Sequence, residues 1–276
     1  MPNNDFWGGL TVSLLGCGWL GTALAEDILS LGSIVKGSTT HASKSSQLTS
    51  IGINSHVIHC SDILEGENLE TFFDSDVLIV TLPFKRSFED PLYYVSQLRA
   101  IAAQIPNSRI KTLIFTSSTG IYDGCSGDVT EESHVCLDKP RVSALQQAES
   151  LILALPTVSS CVLRLGGLYG GSRQLGSFLS KKSRLRSGNA PVNLIHQQDC
   201  VGIIKSCIEH PYEGILNAVS DEHPTREKVY TSASLRLGIS PPHFEASRHD
   251  IFKRKVNNAR LKTILDYTFI HPNPAL

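Results

Sequence analysis

Leu10-Thr-Val-Ser-Leu-Leu-Gly16-Cys17-Gly18-Trp19-Leu20-Gly21 is the stretch whose reading decides the fold. An apolar run of strand length leads straight into Gly16-x-Gly18-x-x-Gly21. Apolar residues then recur at helical spacing through Leu20, Leu24, Ala25, Ile28 and Leu31. In a dinucleotide-binding turn each glycine has a physical task. Gly16 makes the tight strand-to-helix turn, Gly18 lets backbone approach a pyrophosphate, and Gly21 lets helix pack on strand. The helix N-terminus adds N–H donors and a partial positive charge for the phosphates.

Outward from this turn, strand-like and helix-like segments alternate through the first 165 residues. Strands are expected at residues 10–15, 33–38, 56–60, 77–81, 111–117 and 160–165, most of them continuous apolar runs suited to burial on both faces. Helices are expected at 20–31, 43–51, 69–73, 92–105 and 142–155. Pro106 and Pro156 stand just past two of these helices, and Pro140 near the first turn of the last. Such alternation predicts an α/β protein with a Rossmann-type doubly wound parallel sheet, strand order 3-2-1-4-5-6. After Gly166 the texture changes to a glycine-rich loop, a basic segment ending Lys181-Lys-Ser-Arg-Leu-Arg186, and further elements at 192–195, 200–208, 214–219 and 225–237. The expected organisation is a nucleotide-binding core over 1–165. Residues 166–276 complete the sheet and form a small substrate-side lobe of one compact unit.

At 276 residues, 41% hydrophobic and 18% charged, the chain has the composition of a globular protein with a sizeable core. A formal net charge of −1 gives no reason to expect a nucleic-acid or anionic-membrane partner. Seven cysteines, odd in number and without a Cys-x-x-Cys pair, read as reduced thiols. With neither a signal-peptide pattern nor an apolar run of about 20 residues, the expectation is a cytoplasmic protein.

Further landmarks follow in order. Asp62 comes after the third strand and Thr81-Leu82-Pro83 after the fourth. Phe115-Thr-Ser-Ser-Thr-Gly-Ile-Tyr122, Arg164-Leu-Gly-Gly-Leu-Tyr-Gly170, Leu194-Ile-His-Gln-Gln-Asp-Cys200 and Asn217-Ala-Val219 complete the series. Together with the glycine turn they resemble the extended short-chain dehydrogenase/reductase superfamily, in its NAD-dependent epimerase/dehydratase branch. The Gly-Cys-Gly-Trp-Leu-Gly turn and the Thr-Ser-Ser-Thr segment look most like the small bacterial YeeZ-type members. The resemblance spans residues 10 to 230. It implies that Gly16, Cys17, Gly18, Trp19, Leu20 and Gly21 cradle the cofactor, that Asp62 lies beside its adenine, and that Thr81, Leu82 and Pro83 line its crevice. Ser118 stands where the family's catalytic Ser or Thr hydrogen-bonds the substrate oxygen; a hydroxyl capping the strand end is the other reading. Tyr122 and Tyr169 are the phenols near that crevice, and Tyr122 also suits packing.

One departure outweighs these agreements. The superfamily places an acid/base Tyr and a Lys one helical turn apart, the cation lowering the phenol's pKa. Anchored on Glu149, the corresponding helix here carries Arg141 and Leu145 at those positions, and no Tyr-x-x-x-Lys occurs in the chain. A guanidinium does not deprotonate near neutrality.

The end of the second strand bears on cofactor choice. Where an NAD enzyme places an Asp or Glu for the ribose 2′-OH, this chain has Ser38, Thr39, Thr40 and Lys44, which can donate to a 2′-phosphate. NADP is therefore expected, with NAD as the alternative. His56 and His59 have the wrong spacing to ligate a metal from one strand face, and no zinc-like or Gly-x-Ser-x-Gly pattern occurs. His196 and Asp199 resemble a loop-fixing landmark of the family. Arg173, Lys181, Lys182 and Arg184 lie where its substrate lobe meets a nucleotide diphosphate; an exposed basic helix explains them equally well. The resulting expectation is an NAD(P)-dependent oxidoreductase or epimerase/dehydratase-like protein acting on a small sugar- or nucleotide-linked molecule. A dinucleotide-binding sensor without turnover is the competing reading. Substrate identity, reaction direction and oligomeric state, a homodimer included, stay open.

Overall fold

A computed structural model describes residues 4–85, 87–178, 185–245 and 254–276. The first half runs α1 (Asn4–Gly8), β1 (Thr11–Leu15), α2 (Trp19–Ser30), β2 (Ile34–Thr39), α3 (Ala42–Ser50), β3 (Asn54–Cys60), β4 (Leu64–Gly66), α4 (Leu69–Phe73), β5 (Val77–Val80), α5 (Leu92–Ala102) and β6 (Thr112–Ser118). It continues through β7 (Gly127–Val129), α6 (Pro140–Leu153), β8 (Ser159–Leu165), β9 (Gly167–Tyr169), α7 (Leu175–Phe178), β10 (Leu194–His196), α8 (Gln197–Glu209), β11 (Gly214–Ala218), α9 (Arg226–Arg236), β12 (Arg254–Val256) and α10 (Ala259–Leu265).

Eight strands form one sheet in the order β11-β8-β6-β5-β1-β2-β3-β4. Within it the order expected for the first six strands is found, as β3-β2-β1-β5-β6-β8. β1 pairs parallel with both β2 and β5, setting Val12 opposite Val35 and Val77. Every residue of β1 and β5 is buried, as their unbroken apolar runs require. The sheet is not wholly parallel, because β4 adds an antiparallel edge through Ile58↔Gly66 and Cys60↔Leu64. Three residues with Glu65 among them are too short for a strand period to register in sequence. α8 begins at Gln197 rather than 200: its first turn is polar and ends on Asp199, a charge favoured at a helix start but invisible to an apolar count. α6 has Pro140 in its first turn.

By contacts, the chain falls into two compact units, each gathered from separate segments. The first comprises Met1–Ser117, Asp138–Leu163 and Ile204–Ile215, and the second Ser118–Leu137, Arg164–Ile203 and Leu216–Leu276. In the first unit, fully buried Trp7 donates from Nε1 to Glu209 Oε1 at 2.8 Å, tying α1 to α8. Lys36 on β2 is also buried there, and its ammonium donates to the carbonyls of Thr71 (2.7 Å) and Asp74 (2.5 Å) at the end of α4. Those bonds compensate a charge that burial otherwise penalises, and burial lowers its pKa. In the second unit two small parallel pairs, β10 with β9 and β12 with β7, join segments far apart in sequence. Neither pairing of β12 nor of β7 follows from the sequence pattern.

Candidate functional site

The glycine turn lies wholly in the first unit, and its neighbours hold it from two sides. Gly16 has φ +111°, in the region open to glycine, and an added Cβ would come within 2.9 Å of Thr81 Oγ1. From the end of β5, Thr81 Oγ1 donates to Gly16 O at 2.6 Å and its N–H donates to Leu15 O at 3.0 Å. From β2, Ser38 Oγ accepts the Gly16 N–H at 2.9 Å, and Ser38 O accepts the Cys17 N–H at 2.8 Å. Thr22 Oγ1 closes the other side on Cys17 O at 3.1 Å. At Gly21 a Cβ would overlap Gly16 O and stand 2.7 Å from Leu14 Cδ2, so the helix packs on the strand only through glycine. Gly18 differs from both. It is the exposed N-cap of α2, and the nearest atom to a Cβ there is Gly16 O at 4.0 Å. Gly16 and Gly21 are demanded by the folded chain; Gly18 is not.

The other expected cofactor residues surround this turn unevenly. Trp19 is half-buried and Leu20 buried in the first turn of α2. Ser38 and Thr39 are buried, Ser38 engaged with Gly16 and Thr39 Oγ1 accepting the His41 N–H at 3.3 Å; Thr40 is exposed. Lys44 is half-buried on α3, and its charge acts on the Cys17 thiol. Burial nevertheless pushes that thiol up to about 12, so Cys17 is a neutral packing residue. Asp62 lies exposed in the turn between β3 and β4. Leu82 and Pro83 begin the loop after β5, fixed by Tyr94, whose hydroxyl donates to Leu82 O at 3.0 Å and whose ring stacks on Phe84 at 4.8 Å. Thr22 and Tyr94 are two supports that sequence reading missed. Thr22 is one position past the glycine pattern, and Tyr94 reads simply as an apolar helix residue.

α6 carries Arg141, Leu145 and Glu149. Arg141 lays its guanidinium over the Phe84 ring, 4.0 Å from the centroid, and donates to Lys85 O at 3.2 Å. Leu145 is buried. The buried carboxylate of Glu149 accepts from Ser117 Oγ at 2.5 Å, coupling α6 to the end of β6.

The two catalytic candidates fall in the second unit. Ser118 ends β6 and caps a 3-10 turn over Thr119–Tyr122, its Oγ accepting the Gly120 N–H at 3.0 Å. Tyr122 is fully buried. Its hydroxyl donates to Asn217 Oδ1 at 2.8 Å and accepts from Arg164 Nη1 at 2.7 Å. Burial raises its pKa, against the opposing pull of Arg164. Both the donor and an acceptor site of this phenol are therefore engaged within the second unit. Asp199 is buried as well; Oδ1 accepts the Ile270 N–H at 2.7 Å and Oδ2 the His271 N–H at 3.0 Å, which fixes the C-terminal segment. Of the basic cluster, Arg173 is an exposed loop residue, while Lys181, Lys182 and Arg184 lie outside the described residues. Among the described residues no helix is long and apolar enough to cross a membrane, and no three His, Cys, Asp or Glu side chains group as metal ligands.

Fold and turn together define an α/β protein with the Rossmann-type architecture of NAD-dependent epimerases and dehydratases. The ADP-L-glycero-D-manno-heptose-6-epimerase of Helicobacter pylori superposes with a TM-score of 0.78 at 13% identity, covering 100% of this chain and 95% of that one. The UDP-glucuronic acid 4-epimerase of Bacillus cereus in complex with NAD gives 0.73 at 17% identity, covering 94% of each chain. WbmG of Bordetella bronchiseptica, also in complex with NAD, gives 0.78 at 14% identity, covering 96% of this chain and 91% of that one. The chain itself belongs to the YeeZ family: it is 30% identical over 268 residues to protein YeeZ of Escherichia coli K12, covering 95% of this chain and 97% of that protein. No family model matches the sequence.

Proposed function

We propose that the chain binds a nicotinamide dinucleotide at the Gly16–Gly21 turn, NADPH in preference to NADH. On this reading it acts on a small sugar- or nucleotide-linked molecule. The observation that carries this reading is Gly18. Its neighbours leave open space where a side chain would go, at the start of a 12-residue helix, an end that carries free N–H donors and a partial positive charge. A glycine where the fold has room for a side chain suits a pyrophosphate resting on the backbone. Two solved structures of the same fold are complexes with NAD. The preference for NADPH rests on the β2 end, where Thr40 and Lys44 bring a hydroxyl and a cation and no carboxylate stands to repel a 2′-phosphate.

A bound nicotinamide supplies hydride transfer. The protein's own residues would hold the pyrophosphate on backbone N–H groups at Trp19–Gly21 and the ribose phosphate at Thr40 and Lys44. With Arg141 and Leu145 in place of Tyr and Lys, Ser118 is the remaining hydroxyl for a substrate oxygen. Losing a positioned acid–base pair costs roughly 10²–10⁴ in rate. Turnover on generic sugar nucleotides, aldehydes and ketones is therefore slow. The competing reading, a dinucleotide-binding regulator, is favoured by Ser118 serving as a cap and Tyr122 being enclosed. Calorimetric titration with NADPH and NADH tests the proposal, together with Gly18→Val, which should fold normally and bind neither. Tighter binding of NADH reverses the cofactor assignment, and undiminished binding by Gly18→Val removes the site from the turn.

A further inference from the structure

In the first unit the strand order reverses at β1, which has β2 on one side and β5 on the other. Ligands of open α/β sheets bind outside the carboxyl ends of the strands at such a reversal. Two segments flank that point: the Gly16–Gly21 turn after β1 and the loop after β5. They touch through Thr81, whose Oγ1 donates to Gly16 O at 2.6 Å.

Side chains from two helices grip the loop after β5. Its own backbone closes on itself weakly, the Phe88 N–H reaching Lys85 O at 3.4 Å, and Pro83 and Lys85 are exposed. From α5, the Tyr94 hydroxyl donates to Leu82 O at 3.0 Å. From α6, Arg141 donates Nη1 to Lys85 O at 3.2 Å and Nη2 to Phe84 O at 3.5 Å, with its guanidinium 4.0 Å from the Phe84 ring centroid. The Phe84 ring also stacks on buried Tyr94 at 4.8 Å, tilted by 17°. One planar fork thus holds two consecutive carbonyls and the side chain of the first.

Arg141 stands in the first turn of α6, next to Pro140. The helix dipole disfavours a cation at that end; the loop carbonyls and the Phe84 ring offset the penalty. A lysine there would carry the charge without the fork that donates to two carbonyls while stacking on a ring.

We propose that Arg141 is a positioning residue of the dinucleotide site, fixing the loop after β5 beside the glycine turn. This role rests on the dinucleotide reading proposed above. A loop ordered in advance loses less conformational freedom when the ligand arrives, so the clamp strengthens binding without touching the ligand.

Arg141→Gln and Arg141→Lys, made in the full chain, test it by two readouts: calorimetric titration with NADPH, and backbone NMR order parameters of the unliganded protein at Thr81 and Lys85. Lys85 reports the loop. Thr81, whose N–H is bonded to Leu15 O at 3.0 Å, reports the sheet. In Arg141→Gln the Lys85 order parameter should fall from about 0.85 to below about 0.6 while Thr81 stays rigid, and NADPH should bind about fivefold more weakly. Arg141→Lys should show the same pattern with about a threefold loss, and it carries the test alone if Arg141→Gln melts early. A Lys85 as rigid as in the parent, Thr81 loosened as much as Lys85, or parental NADPH affinity in Arg141→Lys overturns the positioning role alone. A parent chain that binds neither NADPH nor NADH removes the dinucleotide reading, and the positioning role with it.

Discussion

Gly21→Ala and Gly18→Ala add the same methyl group three residues apart and should have opposite consequences. At Gly21 the new Cβ overlaps the carbonyl oxygen of Gly16 and comes within 2.7 Å of Leu14 Cδ2. That carbonyl is not free to swing aside, since it accepts from Thr81 Oγ1 at 2.6 Å and from the Gly18 N–H at 2.7 Å. Relief requires α2 to lift from β1. Overpacking against fixed neighbours costs about 1–3 kcal/mol, with the upper end apt for a backbone partner, while alanine's better helix propensity returns at most about 1 kcal/mol. The net loss is about 2 kcal/mol. With an unfolding entropy of roughly 0.6 kcal/mol/K for a chain of this length, the melting temperature falls by about 3–4 °C. Gly18→Ala meets only open space and should stay within about 0.5 kcal/mol of the parent, yet weaken dinucleotide binding by crowding the pyrophosphate. Urea denaturation of the two variants, beside calorimetric titration with NADPH, separates the effects. A Gly21→Ala protein as stable as the parent, or a Gly18→Ala protein as destabilised as Gly21→Ala, refutes the division of labour among the glycines.

Other perturbations have equally definite outcomes. Tyr122→Phe removes the hydroxyl that Arg164 Nη1 donates to and that donates to Asn217 Oδ1, and should cost about 1–3 kcal/mol in thermal or urea unfolding; an unchanged midpoint would show that the network contributes nothing. Asp199→Ala leaves the Ile270 and His271 N–H groups without acceptors, so hydrogen exchange across 267–275 should accelerate; unaltered protection there would contradict the clamp. Burial lowers the pKa of His56 and of His196 below the unfolded value near 6.5. The unfolded chain therefore holds more protons in that window, and the stability contributed is present above the unfolded pKa and lost as pH falls through the folded one. Denaturation midpoints should decline on acidification from about pH 7 to pH 5.5, and less steeply in His56→Gln; a rise on acidification would reverse the assigned shifts.

The sequence by itself determined the architecture around the glycine turn. An unbroken apolar run ending in Gly16-x-Gly18-x-x-Gly21 is local information, because strand burial and a strand-to-helix turn constrain neighbouring residues, and the alternation that follows dictates a mostly parallel sheet. It also showed that the chain contains no Tyr-x-x-x-Lys. Only the tertiary structure decided which polar residues have their hydrogen-bonding capacity taken up inside the fold. The Ser38 hydroxyl accepts the Gly16 N–H while keeping its own proton to donate, and the Tyr122 hydroxyl is held between Asn217 and Arg164, 95 and 42 residues away. Those partners come from other strands and loops. Whether a side chain is free for chemistry depends on them, and no pattern along the chain encodes which distant groups will arrive.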